Sequence, residues 1–254
     1  MNFIKNKYLD RVPLSFQCKQ LILGSILGDG SLRLLKDYKN CCFFIRHSIR
    51  QKEYFLWKVS LLNEISTPKS VQIQKPSGFS SNEKLIYKSS ANDSLTLLFK
   101  FLYKNNKLNI QRRWLNFLNP FGLLIWWLDD GSIINSGRRG VLCTDSFQKE
   151  SLLLICRFLL ITFHIECKVY HYNRKSNNKT YWRIYFSGIN LKKFLKLIAP
   201  ELETPSMIYK FKIVYNDINL QQRWISDFSC LLKNDSLKNS FFKLYNKSEN
   251  DIVQ

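Results

Sequence analysis

The sequence predicts an α+β protein made of two copies of one αββαββα unit, each with its own antiparallel sheet. Three observations predict it. LGDGS at Leu27–Ser31 returns as LDDGS at Leu128–Ser132, and each string ends an apolar run. Gln51-Lys52-Glu53 returns as Gln148-Lys149-Glu150, and Ser90 returns as Ser187 at the same offset. Between these landmarks the apolar period changes in the same order in both halves. The expected divisions are an N-terminal segment 1–13, units 14–118 and 119–200, and an extension 201–254.

The elements follow in order. LILGSIL, preceded by Ser15 as a candidate N-cap, reads as a helix, with GLLIWWL as its second copy. Gly30 and Gly131 are expected to form a helix stop or a turn. A hairpin comes next, its second strand at CCFFIRHSIR in one copy and RGVLCTDSF in the other. KEYFLWKVSLLNEI and KESLLLICRFLLITF read as amphipathic helices. VQIQ with KLIYKSS, and ECKVYHYN with YWRIYFS, read as further hairpins; SLTLLFKFL and LKKFLKLI close the copies as helices.

Composition narrows the partners. The 254 residues carry 39 Lys+Arg against 19 Asp+Glu, a net charge of +20, which points to nucleic acid or an anionic membrane surface. A hydrophobic share of 45% supplies a core and excludes a disordered tail. Leu123–Leu128 is short and Leu152–Phe163 is broken by Arg157, whereas a membrane span needs about 20 apolar residues. The N-terminus lacks the apolar stretch of a secretory signal. Seven cysteines in no C-x-x-C spacing exclude a disulfide framework or a structural zinc site and read as buried thiols. His47, His164 and His171 share no metal-ligand spacing; His47 and His171 read as packing or surface residues.

Alternation shows where the charge points. On CCFFIRHSIR, Phe43, Ile45 and Ile49 share one face, and Arg46, Ser48 and Arg50 the other. Val71 and Ile73 oppose Gln72 and Gln74. Cys167 and Val169 oppose Lys168, Tyr170 and Arg174; Trp182, Ile184 and Phe186 oppose Tyr181, Arg183 and Tyr185. Each sheet is thus expected to bury one face and present basic, amide and phenol groups on the other, a set suited to phosphates and base edges.

The repeated acid needs its own account. Asp29 and Asp130 sit where an apolar helix ends, at the negative end of the helix dipole. A divalent cation there would remove the conflict and bring oxygen-ligand chemistry. Gly24 and Gly28 lie four apart on one helix face, where small residues permit close helix approach. Packing of the two helices side by side would bring Asp29 and Asp130 together.

Ile22–Gly30 and Leu123–Gly131 resemble the two signature helices of single-chain LAGLIDADG homing endonucleases. SILGDG with WWLDDG, the run Tyr103–Lys107 (YKNNK) and Pro205–Lys210 (PSMIYK) are similar to the branch typified by the yeast mitochondrial omega-intron enzyme. The resemblance covers roughly residues 14–215. It implies that the signature helices form the seam between two units whose saddle-shaped sheets lie in the DNA major groove. It implies Asp29 and Asp130 as catalytic carboxylates holding Mg²⁺ (or Mn²⁺), with Gly28 and Asp129, one position earlier, as additional ligands. Lys107 and Lys210 match the basic positions that polarise water or stabilise the transition state. The implied product is a double-strand break with short 3′ overhangs. Ile125 and Trp126 depart from the pattern by standing where small residues are usual, and the two tryptophans, Trp126 and Trp127, are expected either to widen the seam or to pack into a domain core.

The expected partner is therefore double-stranded DNA with a long asymmetric or pseudo-palindromic target, bound by a monomer. The alternative is a maturase that binds group I intron RNA and assists splicing, with or without DNA cleavage. A catalytically silent DNA-binding protein is disfavoured by the paired acids, and an intein-borne enzyme by the lack of a flanking splicing domain. The Asn-, Lys- and Ile-rich composition, with no transit peptide, is expected of an organelle-encoded protein of mitochondrion or plastid. The stretch after Lys210 reads as a loose basic tail rather than an extra nucleic-acid contact.

Overall fold

The computed structural model describes residues 8–76, 82–135, 137–174 and 179–246, without the side chains of Arg174 and Lys179. The chain gathers into two compact units, Met1–Asp129 and Asp130–Gln254.

The first unit opens with α1 (Phe16–Leu27), then β1 (Gly30–Arg33), β2 (Cys42–Ser48), α2 (Lys52–Ser60), β3 (Val71–Gln74), β4 (Lys84–Lys88) and α3 (Asp93–Leu102). Ser15 caps α1 by accepting from the Cys18 N–H at 3.1 Å, and its own N–H donates to Glu64 at 2.9 Å. The four strands form one antiparallel sheet in the order β1-β2-β4-β3. A short hairpin, β5 (Tyr103–Lys104) and β6 (Lys107–Leu108), turns through Asn105 and Asn106, both left-handed (φ 51° and 59°), as a two-residue hairpin turn requires. The chain continues through α4 (Arg112–Leu115) into α5 (Pro120–Asp130), whose last residue starts the second unit.

The second unit repeats the order with β7 (Gly131–Ile134), β8 (Arg139–Leu142), α6 (Lys149–Phe163), β9 (Lys168–Arg174), β10 (Lys179–Ser187) and α7 (Gly188–Ile198). Its antiparallel sheet runs β7-β8-β10-β9, the order of the first. The αββαββα unit and its repeat are thus both present. Gly30 and Gly131 open β1 and β7: α1 reaches β1 through the two turn residues Gly28 and Asp29, whereas α5 passes directly into β7.

Alternation sorts the faces of β2, where Phe43, Ile45 and His47 are buried while Arg46 is exposed. β10 buries Ile184 and Phe186. The expected burial of Val71 and Ile73 does not hold. β3 is an edge strand, and Ile73 is 60% exposed beside exposed Gln72. Of the thiols read as buried, Cys143 and Cys167 are half-buried and Cys230 is exposed.

The tail reading is also corrected. Residues after Lys210 form α8 (Ile218–Ser229) and α9 (Asp235–Asn246). Trp224 and Phe228 stand one helical turn apart on α8, and Phe228 packs on Phe211 and Phe241 at ring distances of 5.3 and 4.8 Å. Among the described residues no helix is long and apolar enough to cross a membrane.

Candidate functional site

The site in the first unit is built on contact between α1 and α5. A Cβ on Gly24 would fall on the Gly122 carbonyl oxygen, and one on Gly28 would lie 2.6 Å from the Asp129 Cβ. The absence of side chains at Gly24, Gly122 and Gly28 therefore lets the two helix backbones touch. Trp126 and Trp127, beside these contact residues on α5, are fully buried.

This approach sets the ends of the helices together. The Asp29 N–H lies 3.4 Å from Asp129 Oδ2. The Asp129 side chain is fully buried, while that of Asp29 is 44% exposed. Lys58, on α2 and also fully buried, places its Nζ 3.1 Å from Asp129 Oδ1 and 3.0 Å from Oδ2. The Tyr54 hydroxyl, one helical turn earlier, donates to Oδ1 at 2.7 Å. Burial pushes the Asp129 carboxyl up, but the Lys58 charge, His47 and the bonds from Tyr54 and Lys58 outweigh it and hold the group below the usual carboxylate range.

His47 completes the cluster. Its Nδ1 lies 3.7 Å from Asp29 Oδ2 and its Nε2 3.9 Å from Asp129 Oδ1. Tyr54 and Phe55 face its ring edge-on at 5.2 and 6.1 Å. The packing reading of His47 thus missed its neighbours: ligand atoms of Asp29, His47 and Asp129 all lie within 4.8 Å of one another. Lys58 and Tyr54 were missed as well. The signal available was weak: a lysine four residues after a tyrosine, on the buried side of an otherwise amphipathic helix. The donor set fits a divalent cation through two carboxylates, one of them open to solvent, with an imidazole added. Gly28 is half-buried at the same helix end.

Lys107 is exposed on β6. Its hairpin is tied to β1 by the Leu32 N–H, which donates to the Tyr103 hydroxyl at 3.3 Å.

The corresponding region of the second unit gathers around Cys143. Its N–H donates to the Asp130 carbonyl at 3.1 Å. Burial pushes the thiol up, and the charges of Arg183, Asp130, Asp145 and Lys210 all act on it. Lys210 lies in the turn Pro205–Phe211 and lines a cleft of about 560 Å³ with Gly131, Ser132 and Tyr209.

Register places the sheet residues in rows. In the first unit Arg46 and Gln72 both pair with Ile86, and Ser48 and Gln74 with Lys84. Arg50 falls beyond the strand, in the turn Ile49–Gln51, which Ser48 caps by accepting from the Arg50 N–H at 3.4 Å. In the second unit Lys168 pairs with Tyr185 and Tyr170 with Arg183, while Tyr181 pairs with Tyr172. Arg183 forks onto Asp145 at 2.6 and 2.8 Å and stacks 4.1 Å from the Tyr172 ring, so its guanidinium is held rigidly. Arg174 ends β9, and its side chain lies outside the described residues.

Comparison with known proteins gives three kinds of match. The model of the LAGLIDADG DNA endonuclease family matches residues 19–194. Among curated proteins, "Protein RecA" of Mycobacterium gastri is 28% identical over 211 residues, 78% of this chain but 47% of that protein. The chain thus spans about half the length of the first curated relatives it matches. The "Cytochrome b mRNA maturase bI2" of Debaryomyces hansenii is 25% identical over 78% of this chain and 74% of its own length. Among solved structures, the homing endonuclease I-WcaI bound to its DNA recognition sequence shares the fold. The TM-score is 0.68 at 22% identity, over 82% of this chain and 92% of that one.

Proposed function

The chain belongs to the LAGLIDADG DNA endonuclease family, and from that premise we propose that it is a site-specific, intron-homing DNA endonuclease. It makes a double-strand break with 3′ overhangs by Mg²⁺-dependent phosphodiester hydrolysis. One observation carries the reading: glycine-mediated contact of α1 and α5 sets the Asp29 end of one helix against Asp129 of the other. Solvated acids of no function do not need such an arrangement, and a net charge of +20 favours a polyanion as the partner.

In this reading Asp29 and Asp130 are the carboxylates that hold Mg²⁺ or Mn²⁺, with Asp129 and the Gly28 carbonyl as further oxygen donors. A bound cation of this kind supplies Lewis-acid stabilisation of the phosphate and acidifies water. Lys107 and Lys210 bring positive charge toward the reacting phosphate and orient water. Arg46, Ser48, Gln72 and Gln74 of the first sheet, with Arg50 in the turn after β2, contact phosphates and base edges. Lys168, Tyr170, Arg174, Tyr181, Arg183 and Tyr185 of the second do the same. One chain contains both signatures, so it acts as a monomer on a long asymmetric or pseudo-palindromic duplex. We place it in an organelle, encoded there within an intron.

A second reading has one specific support, the similarity to a protein named as a cytochrome b mRNA maturase. In that case the chain binds group I intron RNA. A randomised duplex library incubated with Mg²⁺ and the wild-type, Asp29→Asn or Asp130→Asn chain separates the two. Discrete double-strand cuts that each variant reduces, and that chelation with EDTA abolishes, support the endonuclease. Absence of cuts, with tight Mg²⁺-independent binding to a structured intron RNA, supports the maturase.

A further inference from the structure

The two halves repeat in backbone but not in the chemistry around their acids. Gly30 pairs with Ile45 in the first sheet, and Gly131 pairs with Leu142 in the second. His47, two residues past Ile45, therefore corresponds to Thr144, two past Leu142. From the shared Gln-Lys-Glu at the start of α2 and α6, Tyr54 corresponds to Ser151 and Lys58 to Ile155. Both Lys58 and Ile155 are buried. The fold accepts an aliphatic side chain at that place, so it does not require a cation there.

A buried ion pair is a poor device for stability alone, since apolar residues of similar volume serve as well or better. Lys58 has a different consequence. It holds both oxygens of Asp129, and Asp129 touches Asp29 by two routes. One is its Oδ2 against the Asp29 N–H at 3.4 Å; the other is its Oδ1 against His47, whose opposite nitrogen faces Asp29 Oδ2 at 3.7 Å. Asp130, next in the chain, has its own anchor in its own unit, the Cys143 N–H at 3.1 Å.

We infer that Lys58 is a positioning residue for the Asp29 site alone, acting through Asp129, so that its loss slows cleavage of one strand of the target and spares the other. This rests on the endonuclease reading with one carboxylate site per strand. Groups that orient ligands without touching the reaction cost about 10–100-fold when removed.

The test uses the full chain and a duplex of its target labelled on both strands, with strand-resolved single-turnover rates. Lys58→Met is expected to slow one strand by about 10–100-fold, leave the other within about twofold, and accumulate a nicked intermediate. Lys58→Gln keeps an N–H donor toward Asp129 and is expected to show the same bias, but smaller. It carries the test if circular dichroism shows that Lys58→Met does not fold. Mn²⁺ binding to the DNA-free chain, read from the paramagnetic resonance of the free ion, is expected to weaken about tenfold at one site only. Equal slowing of both strands, or no slowing in a folded variant, overturns the inference. If the wild-type chain cuts no duplex, the endonuclease reading fails, and the Mn²⁺ titration alone decides whether Lys58 supports the Asp29 site.

Discussion

Gly24 and Gly122 meet backbone to backbone: a methyl group on Gly24 would land on the carbonyl oxygen of Gly122. A backbone oxygen cannot swing aside as a side chain can, so the helices must part to accept any substitution. Gly24→Ala is expected to destabilise the chain by about 2–3 kcal/mol, at the upper end of overpacking costs. Urea midpoints of the two chains at pH 7 check this.

The buried Lys58–Asp129 pair predicts a pH signature. Asp129 is held below its ordinary value in the folded chain, so its contribution is complete above the unfolded carboxylate value of about 3.9 and is lost as pH falls through the lower folded value. At neutral pH, Lys58→Met leaves a buried carboxylate uncompensated and is expected to cost about 3–5 kcal/mol. As pH falls below the unfolded value the gap should narrow, because a protonated Asp129 no longer needs the cation. Urea unfolding at a series of pH values from 7 downward measures the difference; a gap that does not narrow as the pH falls would contradict the assignment.

What could be seen in the sequence depended on how far apart the partners lie. The order of elements followed from periods of 3.6 and 2 residues and from the repeat, all of which are local signals. The close approach at Gly24 was visible because glycines four apart mark one helix face. His47 was not, because its partners Asp29 and Asp129 come from two other elements and one of them is 82 residues away. Alternation alone gives such a residue its face but not its neighbours. Ile73 was misplaced for a related reason: alternation assumes a covered face, and an edge strand has less to cover it. The last helices were missed because Trp224, Phe228, Leu237 and Phe241 are spaced as two short apolar stripes within a polar composition.

The two cations Lys168 and Arg183 should behave differently on DNA. Lys168 is exposed, whereas Arg183 is forked onto Asp145 and stacked on Tyr172. Lys168→Ala is expected to weaken binding of all duplexes alike and lower the salt slope by about 1, the signature of a phosphate contact. Arg183→Ala removes a rigid planar donor and should weaken the target more than a scrambled duplex, by about 1–3 kcal/mol. Titrations of target and scrambled duplexes at several salt concentrations separate the two effects.

Thiol reactivity offers a check that is independent of DNA. Cys230 is exposed, while Cys18 is buried in the first turn of α1, where burial and then Glu64 push its thiol up to about 12. The thiolate is the nucleophile, so a thiol titrating near 12 is almost wholly protonated at pH 8. Short treatment of the folded chain with iodoacetamide at that pH should alkylate Cys230 and leave Cys18 unmodified, as mass spectrometry of the peptides will show. Urea should abolish the difference, because Cys18 then loses both its burial and its proximity to Glu64. Early labelling of Cys18 without urea would mean that α1 opens at Ser15 and Glu64, and would locate the weakest point of the first unit at the start of the helix that carries Asp29.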